Sequence, residues 1–263
     1  MNERVLMFQD GGFGILTPAS ASEATPRVLV LFNAGLMPRS GAFRLHVELA
    51  RALAAQGITT VRCELPGVGD ASGEMPWPAW PRAVLDRICA ETGCSTVAVG
   101  GVCSAADDAW RLAQVDRRVE ALLMVDAYAT GGLWLQWGRL GLLRRRGWRQ
   151  RIRALSQLLK RTPATEASDD DLRAWPRPDQ ARAGMEALCK RGARMLFLYT
   201  GGAGSYFLHP RQFKATWGRV ADGRQVRFSH WRDCDHLMFR PEARVRLADT
   251  VGAWMTDAGE RAA

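Results

Sequence analysis

The chain has 263 residues, 47% of them hydrophobic and 24% charged, with a formal net charge of +9. That size suits one large α/β domain carrying an insertion, or two small domains. No run approaches the roughly 18 uncharged apolar residues of a membrane span, and the N-terminal stretch around Glu3, Arg4 and Asp10 lacks a signal-peptide core. A cytoplasmic protein without a transmembrane segment is therefore expected.

In chain order, Val5–Phe8 and Gly14–Thr17 read as two short strands of a leading hairpin, with Asp10-Gly11-Gly12 as the turn. Val28–Phe32 is an apolar run suited to a buried parallel strand. The apolar spacing from Ala42 to Gln56 predicts a helix closed by Gly57, and Thr59–Cys63 is the next strand. Trp80–Thr92 is helical, with Pro81 tolerated in its first turn. Thr96–Val102 is a strand, a helix starts by Ala105, and Ala121–Val125 is another strand. This alternation implies βαβ units and a mainly parallel sheet. It is interrupted from about Ala129 to Arg182 by helical, basic, tryptophan-containing sequence with a polar break at Thr162–Asp171. Order then resumes with a strand at Met195–Thr200, a helix near Pro210–Trp217, a strand at Gln225–Ser229 and a last helix from Pro241 to Ala258. The expected organisation is a core of residues 1–128 and 183–263 with a helical cap inserted at 129–182.

The positive charge is concentrated. Arg139 to Arg161 holds nine basic residues and no acidic one. Such a block is a solvated helical face or a surface for an acidic ligand or anionic lipid. Trp134, Trp137 and Trp148 are its only stacking residues and no nucleic-acid motif accompanies them, so nucleic acid is not an expected partner. The six cysteines (Cys63, Cys89, Cys94, Cys103, Cys189 and Cys234) show neither a CxxC pair nor metal-ligand spacing. Free thiols are expected, and no metal or cofactor is implied.

The string Val97 to Asp107, VAVGGVCSAAD, carries the sharpest signal. A β-branched strand meets a five-residue turn with small residues at both ends, and helix-forming sequence follows at once. That is the layout of a nucleophile elbow. Gly101 and Ala105 occupy the two small-residue slots, which puts Cys103 at the nucleophile position. With Ser104 there instead, Val102 would have to fill a small slot. The plain alternative is a buried cysteine at a strand end.

A cysteine nucleophile needs a base, a group to orient it and donors for the oxyanion. Of the four histidines, His46 lies in the first helix, His209 at a helix start and His230 at the end of the last strand. His236 stands in a loop after that strand, at the carboxyl edge where α/β sheets bind ligands, and is the expected base, with His230 in reserve. The stretch Tyr199–Ser205, after the penultimate strand, holds no carboxylate. Asp126, at the end of the strand following the elbow helix, is either the orienting acid or a helix cap; a Cys–His dyad without an acid also stays open. Asp235 is adjacent to the histidine and poorly placed to orient it. The oxyanion donors are expected to be the Ser104 N–H and that of Gly35 or Leu36.

These pieces together resemble the α/β-hydrolase superfamily: Asn33-Ala34-Gly35 after an apolar strand, TTVRCELPGVGDASG from Thr59 to Gly73, the elbow and the Asp235-His236 loop. Arg39, Arg44, Gly-x-Cys-Ser-Ala and the basic cap are similar to bacterial hydrolases found beside exopolysaccharide and exosortase gene clusters. The resemblance implies a mainly parallel sheet flanked by helices, an inserted helical cap, and a cysteine standing where serine is commoner. It implies hydrolysis of acyl esters or thioesters through a Cys103–His236–Asp126 triad and an acyl-cysteine. Acyl transfer on the same residues, or a catalytically degenerate binding protein, are the alternatives. Trp134 and Trp137, with Leu133, Leu140, Leu142 and Leu143, either line an acyl pocket or pack the cap onto the core. Arg39 is an expected substrate-binding residue, and Glu64 is read as structural. The cap arginines suit an anionic substrate such as an acyl-CoA or acyl-carrier protein, or peripheral membrane contact.

Overall fold

The computed structural model describes residues 2–20, 26–74, 77–145, 173 and 175–257. The strands are β1 (Arg4–Met7), β2 (Phe13–Thr17), β3 (Arg27–Leu31), β4 (Ile58–Glu64), β5 (Val97–Val102), β6 (Val119–Val125), β7 (Arg194–Thr200) and β8 (Val226–Trp231). They form one sheet in the order β1-β2-β4-β3-β5-β6-β7-β8. The β1–β2 hairpin joins β4 antiparallel, and every pairing from β4 across to β8 is parallel. A mainly parallel sheet flanked by helices is thus what the chain forms.

The apolar strands read as continuous runs because both faces are buried. On β3, Val28, Val30 and Phe32 join one core while Leu29 and Leu31 join the other; β7 divides Met195, Phe197 and Tyr199 from Leu196 and Leu198 in the same way. Helices α2 (Ala79–Thr92), α3 (Ser104–Val115), α5 (Pro178–Lys190) and α6 (Arg211–Trp217) contribute to the first core. Helices α1 (Leu45–Ala55) and α7 (Pro241–Thr256) cover the second.

Two expectations change in detail. The helix expected from Ala42 begins at Leu45, because Phe43 (φ 48°) and Arg44 (φ 64°) are both left-handed and break the helical run. His46, in the first turn of α1, is buried, and burial pushes its imidazole down to about 4. Of the expected cap, α4 (Leu133–Arg145) is described and packs against α6. Trp148 and the break at Thr162–Asp171 lie outside the described residues. Helix α5 crosses the expected cap boundary at 182 and packs on α3 and α6, in the layer of the core helices.

Candidate active site

The residues expected to act together converge at the carboxyl edge of β5, β6 and β8. The chain leaves β5 through Cys103, whose φ of 59° and ψ of −124° lie far from any well that a side-chain-bearing residue prefers. Its N–H still donates to Val125 O (2.9 Å), and its carbonyl accepts from Ala106 N–H (3.0 Å), the first turn of α3. The small residues of the motif have a steric cause. A Cβ on Gly101 would stand 2.4 Å from Ala105 Cβ, and one on Gly100 would stand 2.2 Å from Leu123 O. Cys103 is half-buried, with its side chain raised above the strand ends.

Asp126 ends β6 in a second left-handed turn (φ 48°) and is completely buried. Its Oδ1 accepts from Thr200 N–H (2.6 Å), and its Oδ2 from Thr200 Oγ1 (2.7 Å). The same Oδ2 lies 2.7 Å from His236 Nδ1. The pKa of His236 is raised to about 10, first by the Asp126 bond and next by the neighbouring Cys103. A raised pKa favours the protonated imidazole, which can donate a proton to a neighbouring group.

The stretch without a carboxylate after β7 has its own part in the site. A Cβ on Gly202 would lie 2.3 Å from His236 N, so only glycine admits the histidine loop there, and Gly201 N–H ties that loop through Cys234 O (2.9 Å). Asp235 turns away to accept from Leu237 N–H (3.0 Å) and Phe239 N–H (3.1 Å), shaping the loop rather than orienting the ring. His230 packs edge-on against Phe207 at 5.0 Å, and burial pushes it down to about 4, which leaves it neutral.

On the oxyanion side, the Ala34–Met37 turn is closed by Met37 N–H to Ala34 O (2.9 Å). Gly35 N–H donates to Ser104 Oγ (2.8 Å), so in this state the serine hydroxyl holds one of the three expected donors. Leu36 and Ser104 N–H carry no hydrogen bond among the described residues. Asn33, buried, braces the turn by donating to Gly35 O (3.1 Å) and accepting from Leu65 N–H (3.1 Å).

The expected substrate residues are spread out. Trp134 stacks on His209 (5.0 Å) beneath the Arg211 guanidinium (4.8 Å), and Trp137 is mostly exposed on α4. Arg39 is held by Glu64 (2.8 Å) and Asp70 (2.9 Å), which gives Glu64 the structural part expected of it.

Four residues of the site were not anticipated: Thr200, Tyr206, Asp107 and Arg173. Tyr206 Oη donates to Asp126 O (2.6 Å). Arg173 Nη2 reaches the carbonyls of both Asp126 (3.3 Å) and Cys103 (3.4 Å), while its Nε meets Asp107 Oδ2 at 2.6 Å. Both members of that ion pair are buried. Burial alone would lower the Arg173 pKa, but the bond and charge of Asp107 outweigh it and hold the guanidinium charged. The one sequence signal among them was Asp107, a carboxylate in the first turn of a helix whose other inward positions are apolar.

An esterase domain from Rhodothermus marinus matches with a TM-score of 0.58 and 13% identity, covering 97% of this chain and 98% of the other. The thioesterase domain of the curacin biosynthetic pathway matches with a TM-score of 0.57 and 16% identity, covering 97% and 99%. A serine hydrolase homologue from Coxiella burnetii gives 0.56 and 14%, covering 95% of each chain. The fold is the α/β-hydrolase fold. No protein-family model and no curated protein matches the sequence. At such identities the likeness extends to architecture, and the chemistry has to be argued from the site itself. Among the described residues, no helix is long and apolar enough to cross a membrane.

Proposed function

We propose that this α/β-hydrolase-fold chain cleaves acyl esters or thioesters through a Cys103–His236–Asp126 triad and an acyl-cysteine intermediate. The observation that carries the reading is the bond from His236 Nδ1 to buried Asp126, with Cys103 nearby on a strained elbow. Strain of this kind persists only where surrounding structure enforces it, and it concentrates at reactive sites.

In this scheme the Cys103 thiolate, paired with protonated His236, attacks the acyl carbonyl and forms a C–S bond. The oxyanion takes the Ser104 and Leu36 N–H groups; Gly35 N–H joins them when the Ser104 hydroxyl rotates away. Collapse expels an alcohol or thiol, which receives the His236 proton. Water then gives a proton to His236 and attacks the thioester carbonyl, and the C–S bond breaks to return the acid and the thiolate. Asp126, fixed by both Thr200 bonds, holds Nδ1–H so that Nε2 faces the sulfur. In this reading the insertion between β6 and α5 serves as the cap, and its arginines favour acyl groups on phosphate-bearing carriers such as CoA or an acyl-carrier protein, in the cytoplasm.

The test is intact-mass analysis after incubation with a panel of acyl thioesters and activated esters. Wild type should gain one acyl mass or turn substrate over, and Cys103→Ala and His236→Ala should do neither. Wild-type turnover that survives in Cys103→Ala would sink the triad.

A further inference from the structure

A cavity of about 510 Å³ opens between the β1–β2 hairpin, α1 and the segment 38–44, away from the acyl chemistry. Five arginines line it, Arg4, Arg39, Arg44, Arg51 and Arg62, against two carboxylates, Glu3 and Asp70. The pairing is uneven. Arg51 Nε (2.9 Å) and Arg62 Nη2 (3.2 Å) share the single carboxylate of Glu3. Arg39 is held by Glu64 and Asp70, Arg4 is drawn to Glu91 (2.8 Å), and Arg44 makes no ion pair among the described residues.

Arg62 is the telling residue. It is only 4% exposed, and its Nε has no hydrogen-bond partner among the described residues. Burial, then the repulsion of Arg51, Arg39 and Arg44, disfavours its charge, with Glu3 alone pulling the other way. A buried cation with an unused donor among like charges is costly unless a counter-charge accompanies it. The backbone adds to the case. Phe43 and Arg44 are consecutive non-glycine residues in the left-handed region, and that conformation sets Arg44 on the cavity wall.

We propose that this cavity is an anion site for a phosphate group, with Arg44 and Arg51 as the accessible guanidinium forks and Arg62 as the buried charge beneath them. A tetrahedral dianion suits Arg44, which makes no ion pair among the described residues, and the two guanidiniums that share Glu3 better than a single carboxylate does, and guanidinium forks match phosphate oxygens in pairs. Segment 38–44 continues directly from the Asn33–Met37 turn, so the site borders the catalytic edge along the chain. The proposal stands independently of the acyl-cysteine reading.

The experiment is thermal unfolding and calorimetry of the full chain with inorganic phosphate, against sodium chloride at matched ionic strength. Phosphate should raise the melting point beyond the chloride control. Arg44→Ala and Arg51→Ala should each bind phosphate about tenfold more weakly, while melting in chloride as wild type does. Coenzyme A that competes with phosphate identifies the source as a substrate's carrier, whereas phosphate binding without such competition identifies the free anion. Equal shifts in phosphate and chloride would overturn the site. So would a phosphate shift that survives intact in both variants, since the anion would then sit elsewhere, as on the basic stretch from Arg139 to Arg161.

Discussion

The turns after β5 and β6 use one backbone device for opposite ends. In each, the first residue beyond the strand continues the sheet's hydrogen bonding to its neighbour, Cys103 N–H to Val125 O and Asp126 N–H to Leu198 O. Each then turns left-handed without a glycine. The β5 turn runs straight into α3, which accepts the strain and leaves Cys103 half-buried and raised. The β6 turn starts no helix, and Asp126 sinks out of solvent completely, braced by Thr200, Tyr206 and Arg173 from far along the chain. One strained turn presents the proposed nucleophile; the other hides a carboxylate bonded to His236.

The most severe way to break the comparison is at the buried end. Asp126→Asn keeps the shape of the turn but lets His236 adopt the wrong tautomer, so acyl-enzyme formation should fall by about 10⁴-fold. In the same variant the His236 imidazole should move from about 10 towards its ordinary 6.5, read by NMR titration. The sign for stability follows from that raised value. The advantage of wild type over His236→Gln is complete below 6.5 and is lost as pH rises through about 10, which urea unfolding across that range measures. A constant difference across the range would remove the ion-pair account of the loop.

At the raised end, Gly101→Ala forces its new Cβ to within 2.4 Å of Ala105 Cβ. Overpacking of this sort costs roughly 1–3 kcal/mol, and the melting point should fall by about 2–4 °C for each kcal/mol in a chain of this size. An unchanged melting point would mean that the elbow relaxes freely and stores little strain. A milder probe of the other turn is Thr200→Val, which removes the hydroxyl bond to Asp126 and keeps the backbone one. Losing a hydrogen bond to a charged group is worth about 1.5–3 kcal/mol, so acylation should slow by at least about tenfold.

The two turns also differ in how far they could be read from the sequence. The β5 elbow is a local object: strand, two small residues, helix, all within Val97 to Asp107, and the steric contacts of Gly101 and Ala105 show why it is legible. The buried strand β3 was legible for the same reason, as a continuous apolar run, because burial acts on near neighbours. The β6 turn is non-local. Asp126 could be named as a candidate but not chosen over a cap, since the residues that hydrogen-bond it in place lie 74, 80 and 47 positions away. Nor does sequence reveal that Ser104 Oγ occupies the Gly35 donor, a side-chain rotamer decided by packing.

The finest test concerns the one group that joins both turns. Arg173 Nη2 bonds the carbonyl oxygens of Cys103 and Asp126 together, and its Nε is balanced by Asp107. If this pair only braces the backbone, losing either member loosens the elbow and moves reactivity in one direction. If its charges act on the sulfur, the two losses differ in sign. Arg173→Met removes a cation beneath the thiolate and leaves an unpaired carboxylate, so alkylation of Cys103 by iodoacetamide at pH 7 should slow several-fold. Asp107→Asn keeps the side-chain shape and frees the guanidinium charge, so alkylation should quicken. Charges in a partly dehydrated site interact by about 1–4 kcal/mol at these separations, enough for opposite shifts to stand clear of a common structural loss. Two variants that slow together would reduce the pair to scaffolding; two that diverge would make the elbow and the acid turn parts of one electrostatic unit.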